Sequence, residues 1–378
     1  MTRHPIRVLH VLGSLNPGGV ETWLINILRH MDRERFEMQF CTFGPEPGVF
    51  APEAERLGGR VIPCPKGKNV WSLGRRFRGI LREGRYDVVH SHVHYFSGAV
   101  LRWAQLEGVP MRIAHSHTTQ DDKASAPFRS LYREMTRAWI HRYATHGLGA
   151  SRGAAAGLFG DGWERDIRLR VLYYGIDLKP FEQPVDRAEV RREFGIPLDA
   201  PVIGHVGRFV EAKNHAFLLE IAHTVLAKHP TFHFLLVGDG PLRPAIEARA
   251  RSFDLYGNIH FAGARHDVPR LMLGGMNLFL FPSIWEGLPI ALLEAQAAGL
   301  PCVVSDSVSG EVQASERSIH FLPLTKRSYK WADDIILIMN RGLARESSVS
   351  RCDSMDLFSI EFSARELADF YSLTPFAG

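Results

Sequence analysis

Residues 281–304, FPSIWEGLPIALLEAQAAGLPCVV, constrain this chain more than any other stretch. The apolar run 277–281 has the length of a buried strand and stops at Pro282-Ser283. The stretch 289–298, rich in Ala, Leu, Glu and Gln, predicts a helix. Pro289 falls at its first turn, so the amides of Gly287 and Leu288 have no intrahelical acceptor and point outward as an anion or sugar-hydroxyl site. Gly299-Leu-Pro301 ends the helix and Cys302-Val-Val-Ser305 begins the next strand. Strand, helix and strand in this order build a parallel sheet, which binds ligands at its carboxyl edge. Glu286 and Glu294, with seven residues between them, are slightly over two helical turns apart, so both carboxylates can reach that edge. Two solvated carboxylates flanking a core helix would give the same spacing.

The chain has 378 residues, more than one ordinary α/β core uses, and suits two domains. Cys41, Cys64, Cys302 and Cys352 show no paired spacing and read as buried, reduced thiols. The first apolar run has strand length and leads to a Gly/Pro loop, so no signal peptide is expected. No stretch offers about twenty uninterrupted apolar residues. A cytoplasmic protein is therefore expected. The net charge of +4 is unevenly placed: Lys66, Lys68, Arg75, Arg76, Arg78, Arg82 and Arg85 face a single Glu83, with Trp71, Leu73, Phe77, Ile80 and Leu81 interleaved. A solvated helix face and peripheral contact with anionic membrane both fit that segment. No nucleic-acid-binding module is recognisable.

Taken in order, 6–12 reads as a strand opening into a glycine-rich loop, 13–19, before a helix that begins near Glu21. The loop is not G-x-G-x-x-G and lacks the following acidic residue, which argues against a nicotinamide site. Further strands are expected at 36–43, 60–64, 86–92, 112–117 and 169–176, separated by helix-length stretches, as in a doubly wound parallel sheet. Two of them end in H-x-H pairs, His90 with His92 and His115 with His117, and the period of two puts each pair on one face. Imidazoles so placed could bind zinc for hydrolysis, but only Asp87, Asp121 and Asp122 lie near as carboxylates. Hydrogen-bonded histidines at strand ends are the plainer reading. Residues 128–143 predict a basic amphipathic helix, and 179–200, with three prolines among charges, reads as a linker.

The second half repeats the pattern with strands at 201–206, 232–237 and 258–262. Arg208 follows the first, and Lys213 lies five residues later before a helix, so both cations can converge beside its N-terminus. Gly207, Gly238 and Gly240 sit in the intervening turns. A diphosphate leaving group needs such cations, which in a water-poor site are worth a few kcal/mol of barrier (about 3). Arg265 follows the 258–262 strand.

These stretches together resemble retaining, nucleotide-sugar-dependent glycosyltransferases of family 4, and among them bacterial exopolysaccharide and capsule enzymes. The resemblance rests on PS-x-x-EG-x-P followed by EA-x-x-AG-x-P, on Gly-Arg with Lys-Asn at 207–214, and on Gly18-Gly19-x-Glu21. It implies the α/β GT-B fold, two Rossmann-like doubly wound parallel-sheet domains facing a cleft: 1–180 on the acceptor side, 181–355 for the nucleotide sugar, and a helix in 356–378 packing back on the first. It also implies that Arg208 and Lys213 hold the diphosphate and Glu294 the ribose. Glu286, the amides of Gly287 and Leu288, and His117 would hold the donor sugar, with His115 an adjacent alternative. Gly18, Gly19 and Glu21 would lie by acceptor and leaving phosphate, Gly207, Gly238 and Gly240 by the nucleotide, and Arg265 by the base. The implied donor is a UDP-sugar as co-substrate, with no cofactor, and the acceptor a glycan or polyprenyl-diphosphate-linked saccharide. No D-x-D occurs, so no metal is expected. Tyr174 stands where the family has Asn in N-G-[VI]-D, and Ser307-Val-Ser-Gly310-Glu311 departs from G-G-x-x-E. A nucleotide-sugar epimerase, a metal-dependent hydrolase using the H-x-H pairs, and a binding-only sensor are the alternatives.

Overall fold

The computed structural model describes residues 4–67, 69–119, 127–314, 319–341 and 353–373. Lys68, Asp121, Asp122 and Cys352 lie outside the described residues. The chain forms two compact units, 1–175 with 357–378 and 176–356.

The first unit holds seven parallel strands: β1 (Ile6–Leu12), β2 (Phe36–Thr42), β3 (Arg60–Pro63), β4 (Val88–Ser91), β5 (Met111–Ser116), β6 (His146–Gly149) and β7 (Leu169–Val171). Their order is β3-β2-β1-β4-β5-β6-β7. Central strands covered on both faces read as near-continuous apolar runs, and Leu9, Val11, Val89 and Ile113 are fully buried. Helix α1 (Gly19–His30) follows the glycine-rich loop, α2 (Val70–Gly84) carries the basic segment, and α3 spans Pro127–Tyr143. In α2, Leu73, Phe77 and Leu81 are buried while Trp71 is 89% exposed. Both Arg78 and Arg82 pair with Glu107.

Strand β6 departs from the expectations above. His146-Gly-Leu-Gly149 lacks a β-branched residue, yet its glycines let neighbours close in. A Cβ on Gly147 would lie 2.6 Å from Phe159, and one on Gly149 would lie 2.7 Å from Ala155. The strand expected at 169–176 stops at Val171 because the chain then runs against 359–360, where a Cβ on Gly175 would meet the Ser359 carbonyl at 2.3 Å.

The second unit holds β8 (Val202–Val206), β9 (His233–Val237), β10 (Ile259–Gly263), β11 (Leu278–Phe281), β12 (Cys302–Ser305) and β13 (Ile319–Leu322), in the order β10-β9-β8-β11-β12-β13. Helix α4 (His215–Lys228) follows the β8 loop and α5 (Ile290–Ala297) follows the β11 loop, with Pro289 in the N-cap position. The stretch 179–200 is more structured than a linker. Its helix Arg187–Glu193 buries Arg191, whose guanidinium donates to the carbonyls of Pro197, Leu198 and Ala200 and to Asn277 Oδ1. Its Nη1 and Nη2 donors are thus met, as burial of a charge demands, while Nε has no partner among the described residues.

Helix α6 (Ile360–Ser372) returns to the first unit and lies against α1. Trp23 Nε1 donates to Ser363 Oγ at 2.9 Å, and that hydroxyl donates to the Tyr173 carbonyl. No helix of the described residues is long and apolar enough to cross a membrane.

Candidate active site

In the second unit the carboxyl ends of β8, β9 and β10 are laced backbone to backbone. Gly207 N–H donates to the Val237 carbonyl and Gly238 N–H to that of Gly263. Gly238 has φ +139°, and a Cβ there would sit 2.0 Å from the Gly207 oxygen. Gly240 has φ +157°, and its Cβ would meet the Phe209 backbone. These glycines exist because loops approach one another there.

The β8 and β11 loops are laced in turn: Ile284 N–H donates to the Ala212 carbonyl, and Asn214 Nδ2 to that of Pro282. Asn214 takes a left-handed conformation, φ 54°, and caps α4. This lacing puts Lys213 Nζ 2.6 Å from Glu286 Oε1, with side chains 18% and 12% exposed, and 4.6 Å from the centre of the Phe281 ring. Removing one partner of a poorly solvated pair leaves the other uncompensated, so the two ions hold each other in place. Arg208, on the same loop, is exposed. Gly287 and Leu288 are buried ahead of α5, and among the described residues neither amide has an acceptor. Glu294 lies in the second turn of α5, and burial pushes its carboxyl up to about 7. Near neutrality it both donates and accepts hydrogen bonds.

Arg265 follows β10. It pairs with Glu193 at 2.7 Å and Asp267 at 2.8 Å, in a network that also takes in Arg270. These carboxylates raise its pKa and commit its guanidinium within the protein.

Sequence reasoning passed over the polar side chains beneath Lys213. His205 Nδ1 donates to the Leu280 carbonyl at 2.9 Å, leaving Nε2 without a partner. Both nitrogens of His215 and the Ser283 hydroxyl are buried and unpartnered as well. Burial holds His205 at about 4 and His215 at about 2, so both rings are neutral. The signal was the period of two along β8, which sends His205 to the face that carries Phe279 and Phe281.

In the first unit Gly18 caps α1, and Glu21 folds back so closely that a Cβ on Gly18 would lie 2.5 Å from its carboxylate. A first-turn carboxylate is favoured there by the helix dipole. His115 lies at the end of β5 and His117 just beyond it, among the rings of His90 and His92, with Trp23 edge-on to His115. His117 Nδ1 bonds Tyr174 Oη and its Nε2 bonds His92 Nδ1 at 2.8 Å, so both nitrogens are engaged. Tyr174, the residue in the place of the family Asn, is thus the partner of the histidine expected at the sugar.

Comparison with known proteins agrees with this architecture. The family described as glycosyl transferases group 1 matches residues 186–347, and the glycosyl transferase 4-like domain matches 18–175. The putative glycosyltransferase EpsF of Bacillus subtilis (strain 168) is 36% identical over 335 residues, 87% of this chain and 86% of that protein. The capsular polysaccharide biosynthesis glycosyltransferase CapH of Staphylococcus aureus is 26% identical over 383 residues, 97% of this chain and 98% of its own length. The crystal structure of Anabaena Alr3699/HepE in complex with UDP and glucose superposes with a TM-score of 0.81 at 19% identity, covering 97% of this chain and 99% of that one. With its two parallel-sheet units of GT-B type, the chain belongs to the group 1 glycosyl transferases.

Proposed function

We propose that the chain transfers a sugar from a UDP-sugar to a glycan or lipid-linked saccharide, with retention at the anomeric carbon, in the synthesis of a cell-surface polysaccharide. The observation that carries this reading is the Lys213–Glu286 pair at the carboxyl edge of β8 and β11, with exposed Arg208 on the same loop. Arg208 and Lys213 bind the diphosphate, Glu294 the ribose hydroxyls, and Glu286 with the amides of Gly287 and Leu288 the sugar. Gly207, Gly238 and Gly240 shape the nucleotide loops. Gly18, Gly19 and Glu21, with His115 and His117, serve acceptor and sugar from the first unit.

In the transfer step the bond from the anomeric carbon to the diphosphate oxygen breaks, and negative charge grows on that oxygen. Arg208, Lys213 and the N-terminus of α4 neutralise it, the helix end contributing up to about 2 kcal/mol. The acceptor oxygen attacks on the same face, and its proton passes to the departing phosphate oxygen. No carboxylate nucleophile is required and no divalent ion bridges the phosphates. The capsular polysaccharide enzyme CapH supports the polysaccharide setting, and the complex of HepE with UDP and glucose supports the base.

Calorimetric titration with UDP-, GDP- and ADP-sugars in chelator, repeated with Lys213→Ala and Glu294→Ala, tests the site. Binding of the UDP donor alone, weakened in both variants, is expected. A donor that binds only after Mg2+ or Mn2+ is added refutes the metal-free site. We also propose peripheral contact with anionic membrane through α2, where Val70 and Trp71 are exposed beside Arg75 and Arg76. Absence of binding to phosphatidylglycerol vesicles at low salt removes it.

A further inference from the structure

The buried histidines of the first unit form two hydrogen-bonded rows, each ending on a tyrosine. In one, Tyr371 Oη meets His90 Nδ1 at 2.7 Å and His90 Nε2 meets His115 Nδ1 at 3.1 Å. In the other, Tyr174 Oη meets His117 Nδ1, His117 Nε2 meets His92 Nδ1 at 2.8 Å, and His92 Nε2 meets His10 Nδ1 at 3.0 Å. The far ends, His10 Nε2 and His115 Nε2, are buried without partners. An unpaired buried nitrogen costs about 1–3 kcal/mol, so each row ends on an unmet group. The rings also gather in threes: the ligand atoms of His10, His90 and His92 lie within 4.8 Å of one another, and so do those of His92, His115 and His117.

We propose that His10, His90 and His92 bind one divalent transition ion of the zinc, cobalt or nickel class, separate from the sugar-transfer chemistry. β1 and β4 pair in register with His10 beside His90, so the sheet itself sets the ligands. Metal-bound histidines usually donate their second ring N–H to an outer partner. Such partners are already in place: Tyr371 Oη for His90 Nδ1–H, and His117 Nε2 for His92 Nδ1–H. That leaves the Nε2 lone pairs of His90 and His92 for the ion, which would take His90 Nε2 from His115 Nδ1. Two imidazole nitrogens on a tetrahedral ion, each about 2.0–2.1 Å from it, stand roughly 3.3 Å apart. His92 Nε2 and His10 Nδ1, at 3.0 Å, need to open only slightly for an ion to replace their shared proton.

Neither threesome contains a carboxylate, and all-imidazole donors select these ions over Mg2+ and Mn2+. The second threesome would take His115 and His117 themselves as ligands; the first does not.

The test is metal content and spectroscopy of the full chain, stripped with chelator and then dialysed against one equivalent of Co2+ or Zn2+. We expect one ion per chain, visible Co2+ bands of a low-coordinate nitrogen site, and a higher melting temperature. Affinity should fall more than about tenfold in His10→Gln and His90→Gln, and about tenfold in Tyr371→Phe, which removes only an outer partner. Wild-type protein that holds no ion overturns the proposal, as does unchanged affinity in His10→Gln, and loss in His115→Gln with none in His10→Gln moves the ion to the wrong threesome. If the histidine variants do not fold, Tyr371→Phe decides, and unaltered affinity there counts against the site. Donor binding in chelator is measured separately, so the two readings fail independently.

Discussion

The two units meet the same demand, polar chemistry at the carboxyl edge of a parallel sheet, by opposite means. In the second, the groups are charged and stand on loops: Lys213 against Glu286, with Arg208 exposed beside them. In the first they are neutral and stand on or just beyond the strands, as imidazoles fully or largely buried between tyrosines. A charge cannot go where those histidines are without a partner, because desolvation there exceeds what a lone ion recovers. Charge is therefore confined to loop positions that glycines let fold tightly, and hydrogen-bond networks fill the strands.

The sharpest way to break this contrast is Lys213→Ala. It takes the Lys213 ammonium from the Glu286 carboxylate and removes a phosphate ligand, so UDP-donor affinity should fall at least about 100-fold by calorimetry. A matching loss from an uncharged change in the first unit would erase the distinction. Glu294→Gln comes next. The folded carboxyl titrates near 7 against a usual value near 4.5, so the native state holds the extra proton between those limits and stability falls as pH rises through that window. The glutamine variant should match wild type near pH 4.5 and exceed it at pH 8, by on the order of 3 kcal/mol at most, in urea unfolding without ligand. Equal stability at pH 8 would mean that the carboxyl is solvated.

Gly238→Ala tests the loop lacing: its Cβ has 2.0 Å to the Gly207 oxygen and a positive φ, and about 2 kcal/mol of destabilisation is expected in denaturant melts. Tyr174→Phe should have the smallest effect, about 1 kcal/mol for one lost hydrogen bond, with a shift of the His117 ring nitrogens in 15N NMR. An unmoved His117 resonance would show that the tyrosine does not set that ring.

Legibility in the sequence follows the same division. The stretch 281–304 could be read as strand, turn, helix and strand to within a residue or two, because its apolar run, prolines and glycine all bear on the same boundaries. The H-x-H pairs placed their rings on one face for the same local reason. What escaped was set by pairing over distance. His10 joins the imidazoles only through the register of β1 on β4, and Lys213 finds Glu286 across 73 residues. The Arg265–Glu193 pair escaped because Glu193 lay in a stretch read as linker. Strand β6 hid because its glycines serve close packing of the helix above, a reason invisible in strand propensity.

The hydrogen bond from Tyr371 to His90 and the seat of α6 on α1 have a consequence for how the protein is made. During synthesis the ribosome releases 1–175 first, but the helix that completes their fold emerges only after the whole of 176–356. The second unit is continuous in sequence, whereas Trp23 and His90 of the first gain Ser363 and Tyr371 only from α6. Domains generally complete in chain order during synthesis, and here the unit that begins the chain is the one whose last helix is made at the end.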